Sequence, residues 1–461
     1  MNWEQLLSLK RQGDTLKRLR LEQDETRIGF EVDYDRIIFS SSFRSLQDKT
    51  QVIPFSKKSF VHTRLTHSLE VSVVGRSLGR KTGKIIIEKH PHLKETYGFQ
   101  SNDFGAIVAA ASLAHDIGNP PFGHSGEMAI GDYFKNGNGS NFKNQLNPQQ
   151  YQDLCDFEGN ANGFKIVSEN KTGIPGGLRL SYATLGAFTK YPKGSIPIKP
   201  SLHIKDKKFG FFESQNEFFN NVALELGLNQ SNGNFFRHPL AFLVEAADDI
   251  CYTLIDFEDG INLGWISEEF ALEYLIRLVK GSIDTKKYNA LEHKSDRVAY
   301  LRALSVNTLI NDAVDIFIKN EEALLNGEYP KSILENSVFK AQMKDIIDIS
   351  IEKVYKSEEV IEKELKGYQV IHHLLNVFVK AAVNNQQNKT TAFDELALAC
   401  IPKSYIHKEG DLYTQLLDIS CFIASLTDGK ALEWYNSEEY KPVRQIRLDN
   451  SVGNFIIVKG A

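Results

Sequence analysis

Cysteine is scarce in this chain. The 461 residues hold four, Cys155, Cys251, Cys400 and Cys421, and no two stand in a CxxC spacing. A disulfide framework and a cysteine-based structural zinc site are therefore excluded as organising elements. No apolar run approaches the ~20 residues needed to cross a bilayer. The opening Met1-Asn2-Trp3-Glu4-Gln5 lacks the pattern of a secretory signal. These absences predict a reducing, cytoplasmic setting and no membrane partner. An excess of positive charge is missing too: 54 Lys and Arg stand against 59 Asp and Glu, for a net charge of −5. That removes the global basic signature of a nucleic-acid binder. Local basic clusters remain at Lys10–Arg20 and Lys205–Lys208. They read first as solvated surface and second as phosphate contacts. No internal repeat is visible.

Helical periodicity dominates what is present. Residues 1 to 25 read as a charged amphipathic helix, and Asp33 to Gln47 as a second helix. Arg64 to Lys89 reads as a long helix. Asp103 to His115 is a small, apolar, buried helix, with Ser101 or Asn102 as N-cap and a stop at Gly118 and Pro120. Ser125 caps a helix running to Phe134. Asn136 to Gln152 reads as a flexible excursion or lid. Helices are expected over Glu158–Ser168, Ser181–Phe188 and Pro239–Phe257, then in succession from Ser267 to Ser357, and over Val360–Asn384, Asp411–Ser425 and Gly429–Asn436. Gly173–Gly177 is a turn cluster. Ser195–Gly210 is the one internal stretch where strands are plausible, and Gln445–Val458 reads as a short terminal strand. The expected fold is all-α with minor short strands. A core over residues 1–265 and a helical extension over 266–461 are expected, packed as one continuous fold.

The chemistry concentrates in Leu113-Ala114-His115-Asp116-Ile117-Gly118-Asn119-Pro120-Pro121-Phe122-Gly123-His124. Adjacent imidazole and carboxylate groups can share one divalent metal, and a polar pair at the end of an apolar helix is costly unless paired or coordinated. Upstream stands His62-Thr63-Arg64-Leu65-Thr66-His67-Ser68-Leu69-Glu70, and downstream Glu245-Ala246-Ala247-Asp248-Asp249. Asp248 and Asp249 point about 100° apart on a helix, so one of them faces His67 more easily. Tyr252 and Asp256 follow Asp248 at i+4 and i+8, near one face. Arg64 stands one turn before His67 and can face the same site. His124 and Glu127 share a helical face at i, i+3, an arrangement suited to general acid–base work.

In chain order these residues give a His, a His-Asp pair and an Asp, which resembles the HD-domain metal phosphohydrolases. Ser42-Phe43-Arg44-Ser45-Leu46-Gln47-Asp48, Asn119-Pro120-Pro121-Phe122-Gly123-His124-Ser125-Gly126-Glu127 and Phe157-Glu158-Gly159-Asn160-Ala161 narrow the resemblance. It is to the dGTP triphosphohydrolase family, bacterial relatives of the SAMHD-type dNTPases. The likeness covers most of the first 260 residues. It implies a divalent ion on His67, His115, Asp116 and Asp248, with Mg²⁺ or Mn²⁺ favoured and Fe, Ni or Zn open to the same site. It implies that His124 acts on water or leaving oxygen, oriented by Glu127. It implies that Lys190 and Tyr191 hold distal phosphates, that Gln47 lies near the sugar, and that Tyr252 and Asp256 contact the deoxyribose. Arg64 is expected on a phosphate oxygen. Arg44 is equally suited to nucleotide contact and to a structural role. Ser45 departs from the family pattern, where an arginine is common. The implied reaction is hydrolysis of a deoxynucleoside triphosphate to deoxynucleoside and triphosphate. The implied assembly is a homo-oligomer, a hexamer by family likeness, with allosteric nucleotide or single-stranded DNA as further partners. Two other readings stay open: another HD phosphohydrolase, such as a 5′-nucleotidase or phosphodiesterase, and a nucleotide- or nucleic-acid-binding regulator with a vestigial site.

Overall fold

Thr63 starts the longest helix of the site. Its side chain accepts the Thr66 N–H, while the Thr66 hydroxyl oxygen accepts the Thr63 N–H at 3.0 Å, a reciprocal cap for the Arg64–Lys89 helix. The computed structural model describes residues 1–16, 18–23, 28–53, 61–170 and 176–436. The expected terminal strand over Gln445–Val458 and residues 173–175 of the expected turn lie outside them.

The Arg64–Lys89 helix packs most extensively against the Ser101–Ala114 helix. Gly79 permits the approach: a Cβ there would stand 2.6 Å from the Phe104 carbonyl oxygen. From Phe104 to Ala114 all residues but Ala106 are buried, so this short helix is apolar nearly all round and serves as a core element. Truncating its fully buried Leu113 to Ala would cost about 2–5 kcal/mol. The Pro239–Asn262 helix, with Pro239 in its first turn, packs on both and completes a three-helix frame. Residues 268–355 add further helices against this frame. Glu358–Gln386, Leu412–Ser425 and Asp428–Asn436 build a second apolar cluster, with Phe122, Tyr133 and Phe134 from the first half of the chain.

All-α architecture is therefore observed, and no sheet forms among the described residues; two isolated bridges join Thr50 to Thr63 and Asn229 to Phe235. No described helix is long and apolar enough to cross a membrane. Several local expectations are corrected. Among its described residues, the N-terminal segment is α-helical only over Trp3–Leu6, with a 3-10 turn at Arg20–Glu22. Tertiary anchors override its helical pattern: Trp3 Nε1 donates to Glu321 at 2.9 Å, and buried Arg11 pairs with Asp33 at 2.6 Å. The second helix spans Gly29–Ile38 and restarts at Ser41, capped by Ser40. Gln100, not Ser101 or Asn102, precedes the buried helix, whose Asp103 accepts the Gln100 N–H at 2.8 Å. That helix ends at Ala114, short of Gly118. Phe122 rather than Ser125 stands at the N-cap of the Gly123–Lys135 helix. The expected lid is ordered: Asn138–Gln145 is a 3-10 stretch, Asn147 caps a Pro148–Cys155 helix, and the Tyr151 hydroxyl donates to the Phe134 carbonyl at 2.7 Å. Ser195–Gly210 forms bends and one 3-10 turn, Ile204–Asp206, because Pro197 and Pro200 offer no N–H to a ladder.

Candidate metal and catalytic site

Each helix of the frame delivers one part of a buried polar cluster. His67, 1% exposed, lies in the first turn of the Arg64–Lys89 helix. His115 follows the last residue of the Ser101–Ala114 helix, and Asp116 comes next. Asp248 projects from the middle of the Pro239–Asn262 helix. The ligand-type atoms of His67, His115 and Asp116 lie within 4.8 Å of one another. Asp248 Oδ1 stands 3.2 Å from His67 Nε2 and 3.4 Å from His115 Nε2. His115 Nε2 also lies 3.5 Å from Asp116 Oδ1. The Ser112 carbonyl accepts a hydrogen bond from His115 Nδ1 at 2.7 Å, which leaves Nε2 directed at the carboxylates.

The carboxylates are themselves held. Asp116 accepts Arg64 Nη1 on Oδ2 and Asn119 Nδ2 on Oδ1, both at 2.6 Å. Burial opposes its ionisation, but Arg64 and the two histidines hold it down to about 2. Asp248 accepts Lys190 Nζ on Oδ2 at 2.6 Å. Burial opposes ionisation there too, and Lys190 and His115 keep the carboxyl well below its usual range. The neighbouring Asp249 behaves oppositely: burial, then Glu245 and Asp248, push it up to about 8. The structure thus turns Asp248, not Asp249, to the imidazoles.

His124 and Glu127 form a second unit. His124 Nδ1 lies 2.6 Å from Glu127 Oε2, and Glu127 Oε1 accepts the Gly159 N–H at 2.8 Å. The imidazole is 73% exposed while its carboxylate partner is 11% exposed, so a largely covered carboxylate holds a solvent-facing imidazole. The Glu127 bond and charge raise the His124 pKa. Arg64 stands between the two units: Nη1 holds Asp116, and Nη2 would lie 3.0 Å from a Cβ on Gly123.

On the other side, Tyr252 and Asp256 follow Asp248 along the helix. Tyr252 stacks on Tyr355 at 5.9 Å. Asp256 is fully buried, and its Oδ2 accepts the Tyr355 hydroxyl. Its Oδ1 is buried with no hydrogen-bond partner among the described residues. Burial pushes this carboxyl up to about 7. Tyr191 is buried beside Lys190, and burial raises its phenol while Lys190 opposes the rise. Gln47 stands exposed on the Leu46–Asp48 turn; two residues on, Lys49 donates to the Asn119 carbonyl at 2.6 Å. Arg44 is exposed and donates to the Phe39 carbonyl at 3.2 Å, a local structural bond.

Sequence reasoning missed several members. Asn119 stood in the quoted run beside Asp116 and was readable as its hydrogen-bond partner. His62, also in a quoted run, lies 2.7 Å from Asp259 and 3.5 Å from Glu70. Tyr355 lies 99 residues from Asp256 in a Lys- and Glu-rich stretch with no local signal.

The HD domain profile matches residues 64–146. The chain is 38% identical to a deoxyguanosinetriphosphate triphosphohydrolase-like protein of Synechocystis sp., over 94% of this chain and 98% of that one. It is 36% identical to a protein of the same name from Pseudomonas aeruginosa, over 94% and 97%. It is 32% identical to a deoxyguanosinetriphosphate triphosphohydrolase of Klebsiella pneumoniae, over 78% of each. Near end-to-end similarity at this level makes the chain a member of the deoxyguanosinetriphosphate triphosphohydrolase-like family of HD-domain proteins.

Proposed function

We propose that this protein hydrolyses deoxynucleoside triphosphates, dGTP foremost by family likeness, to deoxynucleoside and inorganic triphosphate by water attack at the α-phosphorus. The observation that carries the reading is the donor set: two imidazole Nε2 atoms facing Asp248 Oδ1, with Asp116 closing the group. Two nitrogens and two carboxylates suit a divalent cation, and a backbone carbonyl already fixes the His115 tautomer. His67, His115, Asp116 and Asp248 would hold the ion. Mg²⁺ or Mn²⁺ is the proposed occupant, and Fe, Ni or Zn fit the same donors. When bound, such an ion neutralises phosphate charge and lowers the pKa of water.

The chain's own residues supply the rest. Arg64 and Lys190 are buried cations at the rim of the cluster, and they set positive charge against the phosphates. Tyr191 beside Lys190 walls the same end. His124 holds or releases a proton near the reacting oxygen, and Glu127 fixes its orientation and stabilises its charged form. Asp256 Oδ1, buried and without a partner, suits a sugar hydroxyl, with Tyr252 and Tyr355 stacked beside it. Gln47, on its exposed turn, is assigned to the sugar side.

Incubation with each dNTP and Mg²⁺ or Mn²⁺, with products resolved by anion exchange, tests the reading. Deoxynucleoside plus triphosphate supports it. Monophosphate plus pyrophosphate moves the cleavage position, and turnover of dNMP alone gives the site to a nucleotidase. The reading also carries a homo-oligomer, a hexamer by family likeness, and control by a second nucleotide or single-stranded DNA. Light scattering of the purified protein, and assays with mixed dNTPs or DNA, test those parts.

A further inference from the structure

The chain passes from the His115–Asp116 pair into the His124 helix through Phe122 and Gly123. Both have left-handed backbones, with φ of 62° and 58°. Glycine takes this conformation freely; for a bulky phenylalanine it is costly and persists only where surroundings impose it. Here they do. Asp428, the first residue of the Asp428–Asn436 helix and 4% exposed, accepts the Phe122 N–H on Oδ1 at 3.0 Å. Its Oδ2 accepts the Thr50 N–H at 3.1 Å and the Thr50 hydroxyl. The Ser125 hydroxyl donates to the Phe122 carbonyl at 2.9 Å. The Phe122 side chain is closed in: a Cβ on Gly367 would lie 2.6 Å from its ring. Upstream, buried Lys49 donates to the carbonyls of Asn119 and Ala424 at 2.6 and 2.7 Å. The turn between the two chemical units is therefore held mainly by residues that stand in neither.

We propose that Asp428 is a positioning residue for the His124–Glu127 pair, holding the left-handed Phe122 turn so that the start of that helix faces the His67–His115–Asp116 cluster. This rests on the reading of His124 and Glu127 as the proton-handling pair. Asp428 acts only through the backbone of Phe122. Both carboxylate oxygens are needed, one for the Phe122 N–H and one for Thr50; turning one into an amide NH2 sets a donor against a donor and lets the turn relax, and displacement of about 1 Å at a reacting group costs on the order of a hundredfold in rate.

The test compares full-length wild type with Asp428→Asn and the milder Thr50→Val. Four quantities are measured: kcat and KM for dGTP, bound metal, Tm, and amide exchange of peptides covering residues 119–126. Asp428→Asn is expected to lower kcat by ~10–100-fold, leave KM within about twofold, keep metal and Tm near wild type, and speed exchange at the turn. Thr50→Val, which removes one bond to Asp428, is expected to show the same pattern at smaller amplitude, and it decides the matter if Asp428→Asn does not fold. Unchanged kcat with unchanged exchange overturns the proposal. So does a kcat loss that only tracks loss of Tm and metal. Absence of hydrolysis by wild type would refute the functional reading instead. Exchange at residues 119–126 then stands alone: acceleration supports the clamp, and wild-type protection overturns it.

Discussion

Lys190 shares the Asp248 carboxylate with the two site histidines: Nζ is 2.6 Å from Oδ2, while Oδ1 faces His67 and His115. The lysine thus neutralises a buried acid that is also available to a cation. Lys190→Met should destabilise the metal-free protein by roughly 1–3 kcal/mol, because Asp248 Oδ2 loses its ammonium donor while Oδ1 keeps the histidines. Added Mn²⁺ should raise the Tm of the variant more than that of wild type. Urea and thermal midpoints of the metal-free variant equal to those of wild type would mean that the pair contributes nothing.

Asp116→Ala removes the shared acceptor of Arg64 and Asn119 along with one donor of the cluster. Metal content by elemental analysis and dNTP turnover should vanish together. A variant that retained both would remove Asp116 from the site.

His124→Ala should keep metal and substrate binding and lower kcat by roughly 10²–10⁴-fold. Glu127→Gln tests the partner by pH. The Glu127 bond raises the His124 pKa, so its loss lowers that value. The limb of the kcat/KM profile set by His124 should move to lower pH. A profile that stays in place would separate the limb from His124.

Asp256→Asn and Tyr355→Phe both disturb the buried acid–phenol pair. Each should weaken discrimination between dGTP and GTP, measured as a ratio of kcat/KM values. An unaltered ratio in both would take the pair out of sugar recognition.

His62 gives a stability prediction. Burial opposes protonation, but the Asp259 and Glu70 bonds push its pKa up to about 10. The folded state therefore binds a proton more tightly than the unfolded chain, whose histidine titrates near 6.5. The stabilisation is complete below about pH 6.5 and is lost as pH rises through about 10. His62→Gln should flatten the fall in stability over that window in urea titrations. A slope matching wild type would assign the pH dependence elsewhere.

The long site helices were legible because their apolar spacing is strong and their burial continuous, as in Ile107 to Ala114. Caps were less legible. Ser101 and Ser125 have suitable side chains, yet Gln100 stands at one boundary, where Asp103 accepts its N–H, and Phe122 at the other, where distant Asp428 holds its N–H. The N-terminal segment misled for the same reason: Arg11 is tied to Asp33 rather than displayed on a helix. In the site, His67, His115, Asp116 and His124 stand in short runs whose residue types state their chemistry. Tyr355 and Asp428 do not. Their partners, Asp256 and Phe122, lie 99 and 306 residues away, and nothing near either one announces the contact.

Lys49 joins the carbonyls of Asn119 and Ala424, a contact across 375 residues on one side. Synthesis runs from the N-terminus, so His67, His115, Asp116 and Asp248 all leave the ribosome well before Ala424 and Asp428. A nascent chain can therefore gather its cation donors while the turn before His124 is still loose. The turn before His124 gains these contacts only after residues 424–428 have been made.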